Sequence, residues 1–255
     1  MYAALARYYD SEHHDQDDDL RMYAALVKEI GSPALVIGSG TGRVLHHLAR
    51  AGQTAHGIEI EPEMMRRAEA LREANPKLRD RIHLHSGDAL TLPLDGRFKS
   101  ALIPYNTFMH FYDQDTQLAL LRRVHDWLEP KGAAIIDLPN AGESFAAQDT
   151  GAQTLERTFT DRETGERVMQ YSISELDRVE QIMTITWIYD AIAADGTVRR
   201  TVIPSRIRYF FMAELRLLLR AAGLAVEHVY GDFEGGEFAD GAPRMIVVAT
   251  RGGAS

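Results

Sequence analysis

The chain of 255 residues contains no cysteine, which excludes disulfides, cysteine-ligated metal centres and thiol catalysis. No stretch approaches the roughly 18 consecutive apolar residues that a membrane helix needs, and the first ten residues lack the basic start and apolar core of a signal peptide. Positive charge is also scarce, because 28 Lys and Arg face 37 Asp and Glu, for a formal net charge of −9. We therefore expect a cytoplasmic protein without an extended nucleic-acid surface, which would need clustered cations.

The composition is otherwise ordinary for a globular protein, with 45% apolar and 25% charged residues. Two helical patterns fill residues 1–30, and the acidic stretch at 13–19 is expected to cap the second helix. From residue 34 to 138, short apolar runs alternate with helical patterns. Such alternation is typical of parallel βαβ units with right-handed crossovers and with helices on both faces of the sheet.

The pattern changes after Pro139. Residues 153–211 carry β-branched and aromatic residues at period two, with turns at 164–165 and 195–196, which predicts antiparallel hairpins. A helical pattern and two final strands follow from residue 212 to 250. We therefore predict an α/β fold, in which a Rossmann-like seven-stranded, mostly parallel sheet carries an inserted antiparallel β-sheet after strand 5.

A glycine-rich loop follows the first predicted strand. Residues 36–42 read Val-Ile-Gly-Ser-Gly-Thr-Gly, and Arg43 opens the next helix. Glycines let a ligand approach the backbone, and a helix start offers N–H donors. A dinucleotide site needs its third glycine where Arg43 stands, so the spacing disfavours NAD. Glu59 ends the second strand and can accept both hydroxyls of a ribose, so loop and acid together predict a nucleoside-type cofactor.

Four motifs in this order resemble those of class I S-adenosylmethionine (SAM)-dependent methyltransferases, and they lie at residues 36–42, 57–65, 86–89 and 128–133. The first resembles the loop that holds the methionine part of SAM. The second resembles the ribose motif, with Glu59 in the acidic position and Ile60 against the adenine, and the third resembles the loop whose acid reads the adenine amino group. The resemblance implies SAM as cofactor and S-adenosylhomocysteine as product. It implies these cofactor-binding residues: Tyr9, Gly38, Ser39, Gly40, Gly42, Arg43, Glu59, Ile60, Met64, Asp88, Ala89 and Pro104.

A narrower resemblance rests on Tyr9-Asp10, on residues 104–111 and on the predicted insertion. These features look like the glycine N-methyltransferase-like enzymes and the amino-sugar N-methyltransferases. They imply methyl transfer to a small-molecule acceptor, at nitrogen before oxygen. We accordingly expect an N-terminal helical lid at 1–33, a SAM-binding domain at 34–138 plus 212–255, and an acceptor and lid region at 139–211.

Methyl transfer from a sulfonium requires mainly that the nucleophile is aligned and water is excluded. A neutral amine attacks unaided, whereas a hydroxyl needs a general base. We single out His110 as a base or substrate hydrogen-bonding group, together with Tyr105; the alternative for His110 is a cap or a packing role. The predicted substrate-binding residues, for which packing or surface ion pairs are the alternative, are Tyr8, Asn106, Tyr171, Trp187, Arg206 and Arg208.

Other interpretations of the sequence stay open. A nucleotide (NAD)-dependent oxidoreductase would use a similar loop, and a non-catalytic SAM-binding module would carry the same cofactor motifs. A macromolecular acceptor would need an open basic groove. His83 and His85 share a strand face, but no spacing gives the three or four convergent ligands of a metal site, so we expect no metal. An exposed edge of the inserted sheet would allow a homodimer.

Overall fold

The computed structural model of the chain describes residues 2–142 and 151–252, with side chains from residue 5 onward. Its helices are α1 (Tyr2–Glu12), α2 (Asp18–Ile30), α3 (Arg43–Arg50), α4 (Pro62–Glu73), α5 (Gln114–Trp127) and α6 (Met212–Ala221). Its strands are β1 (Ala34–Ile37), β2 (Ala55–Glu59), β3 (Ile82–Ser86), β4 (Phe98–Ile103), β5 (Leu128–Pro139), β6 (Thr154–Thr160), β7 (Arg167–Asp177), β8 (Ile182–Ile192), β9 (Val198–Arg208), β10 (Leu224–Tyr230) and β11 (Arg244–Arg251). Short 3-10 helices cover Pro76–Arg81 and Thr107–His110.

A seven-stranded sheet forms the centre of the molecule, in the order β10-β11-β5-β4-β1-β2-β3. Strands β1 to β5 pair in parallel, and β11 pairs antiparallel with both β5 and β10. The predicted fold class is thereby confirmed. The strand order reverses between β1 and β4, which opens a crevice at the carboxyl ends of these strands, where open α/β sheets bind their ligands.

The sheet is buried on both faces, as its near-continuous apolar strands require. Leu35 and Ile37 of β1 belong to a core that includes residues of α5 and α6. Their neighbours Ala34 and Val36 face the opposite side, in a core that includes residues of α2 and α3. Because β1 is buried on both faces, a shift in its register would expose apolar side chains. The position of the loop that follows β1 is therefore fixed.

The insertion forms a separate four-stranded antiparallel sheet in the order β6-β7-β8-β9. Helix α1 packs against it through Tyr8, whose ring stacks on Tyr189 at 4.7 Å between centroids and meets Phe159 edge-on at 6.1 Å. The predicted region 139–211 includes residues 143–150, which lie outside the described residues.

Two local expectations differ from the structure. Strand β5 begins at Leu128, before the expected start at Ala133. The expected turn at residues 129–132 lies within the strand, because Lys131 adopts a left-handed φ of 68°. The pairing of β4 with β5 shifts register at the same level. The cap of α2 is also different: Asp17 occupies the N-cap position without a side-chain cap hydrogen bond, while Asp19 is buried against Arg43.

No helix in the described ranges, 2–142 and 151–252, is long and apolar enough to cross a membrane.

Candidate active site

A cavity of about 460 Å³ lies at the carboxyl ends of β1, β2, β3 and β4, beneath helix α1. Two larger grooves lie elsewhere, one beside α6 and β10 and one along the outer side of α3. In the described part of the chain, the smaller cavity is the one that joins the glycine loop to Glu59 and His110. We therefore take it as the candidate active site.

The glycine loop is fixed to the neighbouring strand and leaves space on its outer side. The backbone N–H groups of Gly38 and Ser39 both donate to the carbonyl oxygen of Ile58, at 2.9 and 3.0 Å. A Cβ on Gly38 would lie 2.5 Å from Cγ2 of Thr107, whereas a Cβ on Gly40 would meet nothing within 4 Å. Both glycines have positive φ, 68° and 57°. Gly38 is therefore needed for packing, and Gly40 leaves room for a ligand.

Glu59 ends β2 inside the cavity and is 8% exposed. Its Oε2 accepts the N–H of Gly40 at 2.8 Å, and its Oε1 accepts the N–H of Glu61 at 2.8 Å. Burial raises the pKa of the Glu59 carboxyl, while these backbone donors act in the opposite direction. The carboxylate is thus held rigidly, with one oxygen beside the glycine loop, where a ribose diol would approach.

The cofactor-binding residues predicted from the motifs fall into two groups. Eight of them line the cavity: Tyr9, Gly38, Gly40, Glu59, Ile60, Met64, Asp88 and Ala89. Among these, Ile60 is 64% exposed, which is high for a large apolar side chain next to a motif acid. The Oδ1 atom of Asp88 accepts the N–H of Leu90 at 2.9 Å, which fixes the third motif's loop. An apolar surface between two held carboxylates fits the nucleoside part of SAM.

The other four predicted cofactor residues do not line this cavity: Ser39, Gly42, Arg43 and Pro104. Arg43 points toward helix α2 and the segment before it, where Nη1 donates to Oδ1 of Asp19 and to the carbonyl oxygen of Gln16, both at 3.0 Å. Ser39 is buried against the position of Gly57, and among the described residues its hydroxyl has no hydrogen-bond partner. Within this motif, Gly38 and Gly40 line the cavity, whereas Ser39 and Arg43 do not.

Both predicted catalytic residues, Tyr105 and His110, line the cavity. His110 ends the 3-10 helix after β4, and burial lowers its pKa to about 4, so the imidazole is neutral at pH 7. The hydroxyl of Tyr105 donates to Oε1 of Gln16 at 3.3 Å. Tyr9 of α1 completes this side of the wall, and burial raises its pKa to about 12.

The six predicted substrate-binding residues, Tyr8, Asn106, Tyr171, Trp187, Arg206 and Arg208, all lie outside the cavity wall. Tyr8 is 1% exposed in the core between α1 and the inserted sheet. Arg208 is buried in an ion pair with Glu214, and Arg206 is exposed over the ring of Tyr112 at 5.2 Å. Tyr8 is thus engaged in packing and Arg208 in an ion pair, and substrate binding by these residues stays a prediction.

Three others of that group have different surroundings. The Oδ1 atom of Asn106 accepts a hydrogen bond from Arg244. Tyr171 is half-buried with its hydroxyl 3.5 Å from the sulfur of Met169, and Trp187 is half-buried beside two apolar clusters. Strand alternation identifies the face of such residues, but it does not tell which part of that face a ligand reaches.

Sequence reasoning missed nine residues of the wall: Ile37, Ile58, Gly87, Leu90, Thr107, Phe111, Tyr112, Asp113 and Thr116. Ile37 and Ile58 are the last apolar residues of β1 and β2. Gly87, Thr107 and Phe111 lie within the segments 86–89 and 104–111, and the others directly follow these segments. The rule that ligands gather at the carboxyl ends of parallel strands was the available signal. It would have included the whole segment from Thr107 to Thr116.

Histidines of β2 and β3 form a stacked group away from the cavity. The Nδ1 atom of His56 lies 3.1 Å from Nε2 of His85, and its ring stacks on His83 at 4.3 Å between centroids. Within the described ranges, no group of three or more His, Cys, Asp or Glu side chains is arranged to hold a metal ion.

Buried histidines predict a loss of stability in mild acid. Burial lowers the pKa of His13, His56 and His110 to about 4, below the ordinary value of 6.5. Between pH 6.5 and about 4, these histidines are protonated in the unfolded chain but neutral in the folded chain. The free energy of unfolding therefore falls as the pH drops below 6.5. Between pH 7 and 5.5 we expect a loss of about 1 kcal/mol each from His13 and His110, and less from His56, which is half-buried. Urea unfolding at both pH values measures it; a His56→Gln variant should lose less stability than wild type, and equal stabilities of the wild type at the two pH values would contradict the expectation.

Comparison with known proteins agrees with this geometry. A family model described as a methyltransferase domain matches residues 34–132. The cypemycin N-terminal methyltransferase of a Streptomyces species is 27% identical over 226 residues, which cover 87% of this chain and 84% of that protein. The dTDP-3-amino-3,6-dideoxy-alpha-D-glucopyranose N,N-dimethyltransferase of Streptomyces fradiae is 28% identical over 246 residues, 94% of this chain and 91% of the relative.

A solved structure extends the similarity to the whole fold. The CcbJ methyltransferase of Streptomyces caelestis superposes with a TM-score of 0.78 at 25% identity, covering 96% of both chains. The similarity therefore includes the N-terminal helices and the inserted sheet as well as the matched domain. Together, the domain match, the four motifs in order and the fold show that the chain is a class I SAM-dependent methyltransferase.

Proposed function

We propose that this enzyme methylates a nitrogen atom of a small-molecule acceptor of the amino-sugar kind. The observation that carries the proposal is the cavity itself, in which the glycine loop and Glu59 stand opposite Tyr105 and His110 under a covering helix. Two relatives matched over most of their length are named as methyltransferases, one as an N,N-dimethyltransferase of an amino sugar and one as a cypemycin N-terminal methyltransferase. The third dinucleotide glycine is replaced by Arg43, which is engaged with Asp19, and this disfavours the NAD alternative.

The residues that would hold SAM are Gly38, Gly40, Glu59, Ile60 and Asp88. Bound SAM supplies a methyl group that is already activated by its positively charged sulfur. Glu59 would accept the ribose hydroxyls, Ile60 would cover the adenine, and the space beside Gly40 would admit the aminoacyl part. Because the methyl group is already activated, the remaining tasks of the protein are mainly to orient the acceptor and to exclude water.

The remaining wall suits a neutral amine. His110 is uncharged because burial lowers its pKa to about 4, so it does not repel the positively charged sulfur of the cofactor. Tyr9 and Tyr105 add aromatic surface that excludes water and leaves an amine lone pair free to attack. We therefore expect kcat/KM to rise with pH as the acceptor ammonium loses its proton, without an inflection from His110 between pH 6 and 9.

Direct assay tests the proposal. The purified protein is incubated with methyl-labelled SAM and dTDP-3-amino-3,6-dideoxyglucose, and the products are analysed by mass spectrometry. Transfer of one or two methyl groups to the amine is expected, and the matched sugar with a hydroxyl in place of the amine should receive none. Transfer to the hydroxyl sugar alone would contradict nitrogen methylation. Tight SAM binding without transfer to this sugar, to a peptide N-terminus or to glycine would favour a non-catalytic SAM-binding module.

A His110→Ala variant separates nitrogen from oxygen acceptors. Loss of a general base costs about 10² to 10⁴ in rate, but an amine that attacks unaided does not need one. On the amine acceptor we expect kcat to fall by about tenfold or less, measured at saturating SAM. A Thr116→Ala variant changes the same wall without touching a basic group and serves as the control. A loss of a thousandfold in His110→Ala alone would assign His110 as an essential base.

The finer predictions on organisation belong to the same proposal. We assign residues 1–33 as a lid, 34–138 with 212–255 as the SAM-binding part, and 139–211 as the acceptor region; residues 1, 143–150 and 253–255 of these ranges lie outside the described residues. The net charge of −9 supports a small-molecule acceptor over a nucleic acid. A cytoplasmic location and a homodimer stay predictions, and light scattering in solution tests the latter.

A further inference from the structure

Two consecutive residues of the cavity loop have an unusual backbone conformation. Tyr105 has a φ of 42° and Asn106 a φ of 70°, both in the left-handed region. Such a conformation is unfavourable for a residue other than glycine, and it persists where the surroundings enforce it. Asparagine tolerates it, but tyrosine does so rarely. Because Tyr105 lines the cavity, what enforces this turn also determines how its ring meets the ligands.

Asp137, near the end of β5, accepts hydrogen bonds from both residues of this turn. Asp137 is fully buried. Its Oδ2 accepts the hydroxyl of Tyr23 from helix α2 and the N–H of Tyr105 at 3.2 Å, and this N–H lies equally close, at 3.2 Å, to the Tyr23 hydroxyl oxygen. The carbonyl oxygen of Asp137 accepts the N–H of Asn106 at 3.0 Å. Both residues of the strained turn are therefore tied to this one residue through their backbone N–H groups.

Arg244 of β11 completes the arrangement. Its Nε and Nη2 atoms lie 2.9 and 2.6 Å from Oδ1 of Asp137. The same Nη2 donates to Oδ1 of Asn106 at 2.8 Å, and the guanidinium lies 5.7 Å from the ring centroid of Tyr105. One arginine thus contacts the carboxylate and both residues of the turn.

We propose that the Asp137–Arg244 pair is a positioning device for methyl transfer, which holds the Tyr105–Asn106 turn so that Tyr105 orients the acceptor. The proposal rests on the proposed function. A buried ion pair contributes little net stability compared with apolar residues of the same volume. Its distinctive property is directional: both oxygens of Asp137 receive donors, so an amide in its place would set its NH₂ group against Arg244 or against the Tyr105 N–H.

Four variants test the proposal against a purely structural role. Asp137→Asn replaces one acceptor oxygen by an NH₂ group, which must then face a donor. Arg244→Lys keeps the charge but loses the planar contact to Asn106, and the double variant Asp137→Asn, Arg244→Gln removes both charges. The matched control is Asp190→Asn, which breaks a two-point pair between a buried carboxylate and Arg200, at 2.7 Å for both bonds, in the inserted sheet.

We expect kcat for the amino-sugar assay to fall at least 30-fold in Asp137→Asn and about tenfold in Arg244→Lys, with the Kd for SAM within threefold of wild type. The double variant should regain melting temperature relative to Asp137→Asn, because no charge is left unpaired, yet kcat should stay low. A kcat in the double variant within threefold of wild type, or an equal loss in Asp190→Asn, would overturn the positioning role.

A structural readout separates this proposal from the proposed function. If wild type transfers no methyl group to any amine, the proposed function fails. Crystal structures of Arg244→Lys and Asp137→Asn would still show whether the Asp137–Arg244 pair holds the Tyr105–Asn106 turn in its conformation. We expect the φ of Tyr105 to leave the left-handed region in at least one of them, and a positive φ retained in both would overturn the inference whatever the acceptor.

Discussion

A Gly40→Val variant should lose at least 100-fold in affinity for SAM while remaining folded. Gly40 lines the cavity, and a Cβ there would meet no protein atom within 4 Å. The added side chain therefore enters the space meant for the ligand and not the protein core. A 100-fold loss corresponds to about 2.7 kcal/mol, which is modest for a side chain that occupies a ligand's volume. Isothermal titration calorimetry with SAM measures it.

The control for Gly40 comes from another glycine in the same conformation. Gly52 has a φ of 87°, and a Cβ at that position would likewise meet nothing within 4 Å, but it lies in the turn after α3. Gly52→Val thus carries a comparable backbone penalty, about 1 to 2 kcal/mol, without approaching the cavity. We expect it to bind SAM as wild type does. Equal affinities of Gly40→Val and wild type would refute the assignment of the loop.

A Glu59→Gln variant should weaken SAM and S-adenosylhomocysteine equally, by about 10- to 100-fold. Both ligands carry the ribose that Glu59 is proposed to hold, and hydrogen bonds to a charged group contribute about 1.5 to 3 kcal/mol. Since the ribose does not change during the reaction, kcat at saturating SAM should fall by less than about threefold. Competition binding and steady-state kinetics measure the two quantities.

Glu61→Gln is the matched control for Glu59, since it removes the same charge two residues away. Glu61 contacts Glu59 through its backbone N–H, and this hydrogen bond is unaffected by the substitution. Affinity for SAM should therefore change by less than about threefold. A Glu59→Gln variant that binds SAM like wild type would place the ribose elsewhere.

The glycine-loop side of the candidate site was largely predictable from the sequence, since eight of the twelve predicted cofactor-binding residues line the cavity. Its residues follow short buried strands, and a parallel sheet brings the carboxyl ends of such strands to one edge. Gly38 and Glu59, which come from β1 and β2, meet because these strands pair in register, with Ile37 opposite Ile58. Sequence order, strand period and known motifs were sufficient for this part.

The side of the cavity beneath helix α1 was not predictable in the same way. Tyr8 and Tyr9 are adjacent in sequence, yet one is buried against the inserted sheet and the other lines the cavity. Which one faces the ligand depends on how helix α1 crosses both sheets, and amphipathic spacing does not determine that. The pairing of Asp137 with Arg244 was also invisible, because it joins residues 107 positions apart across antiparallel strands.

The way helix α1 lies across the molecule has a practical consequence for protein engineering. Tyr8 packs on Tyr189 of the insertion, Tyr9 borders the cofactor cavity, and Asp10 accepts a hydrogen bond from Thr41 at 2.6 Å. Three successive positions thus link three separate parts of the enzyme. Libraries meant to broaden acceptor scope should therefore keep these three positions unchanged and diversify wall residues that follow the motifs, such as Phe111 and Thr116.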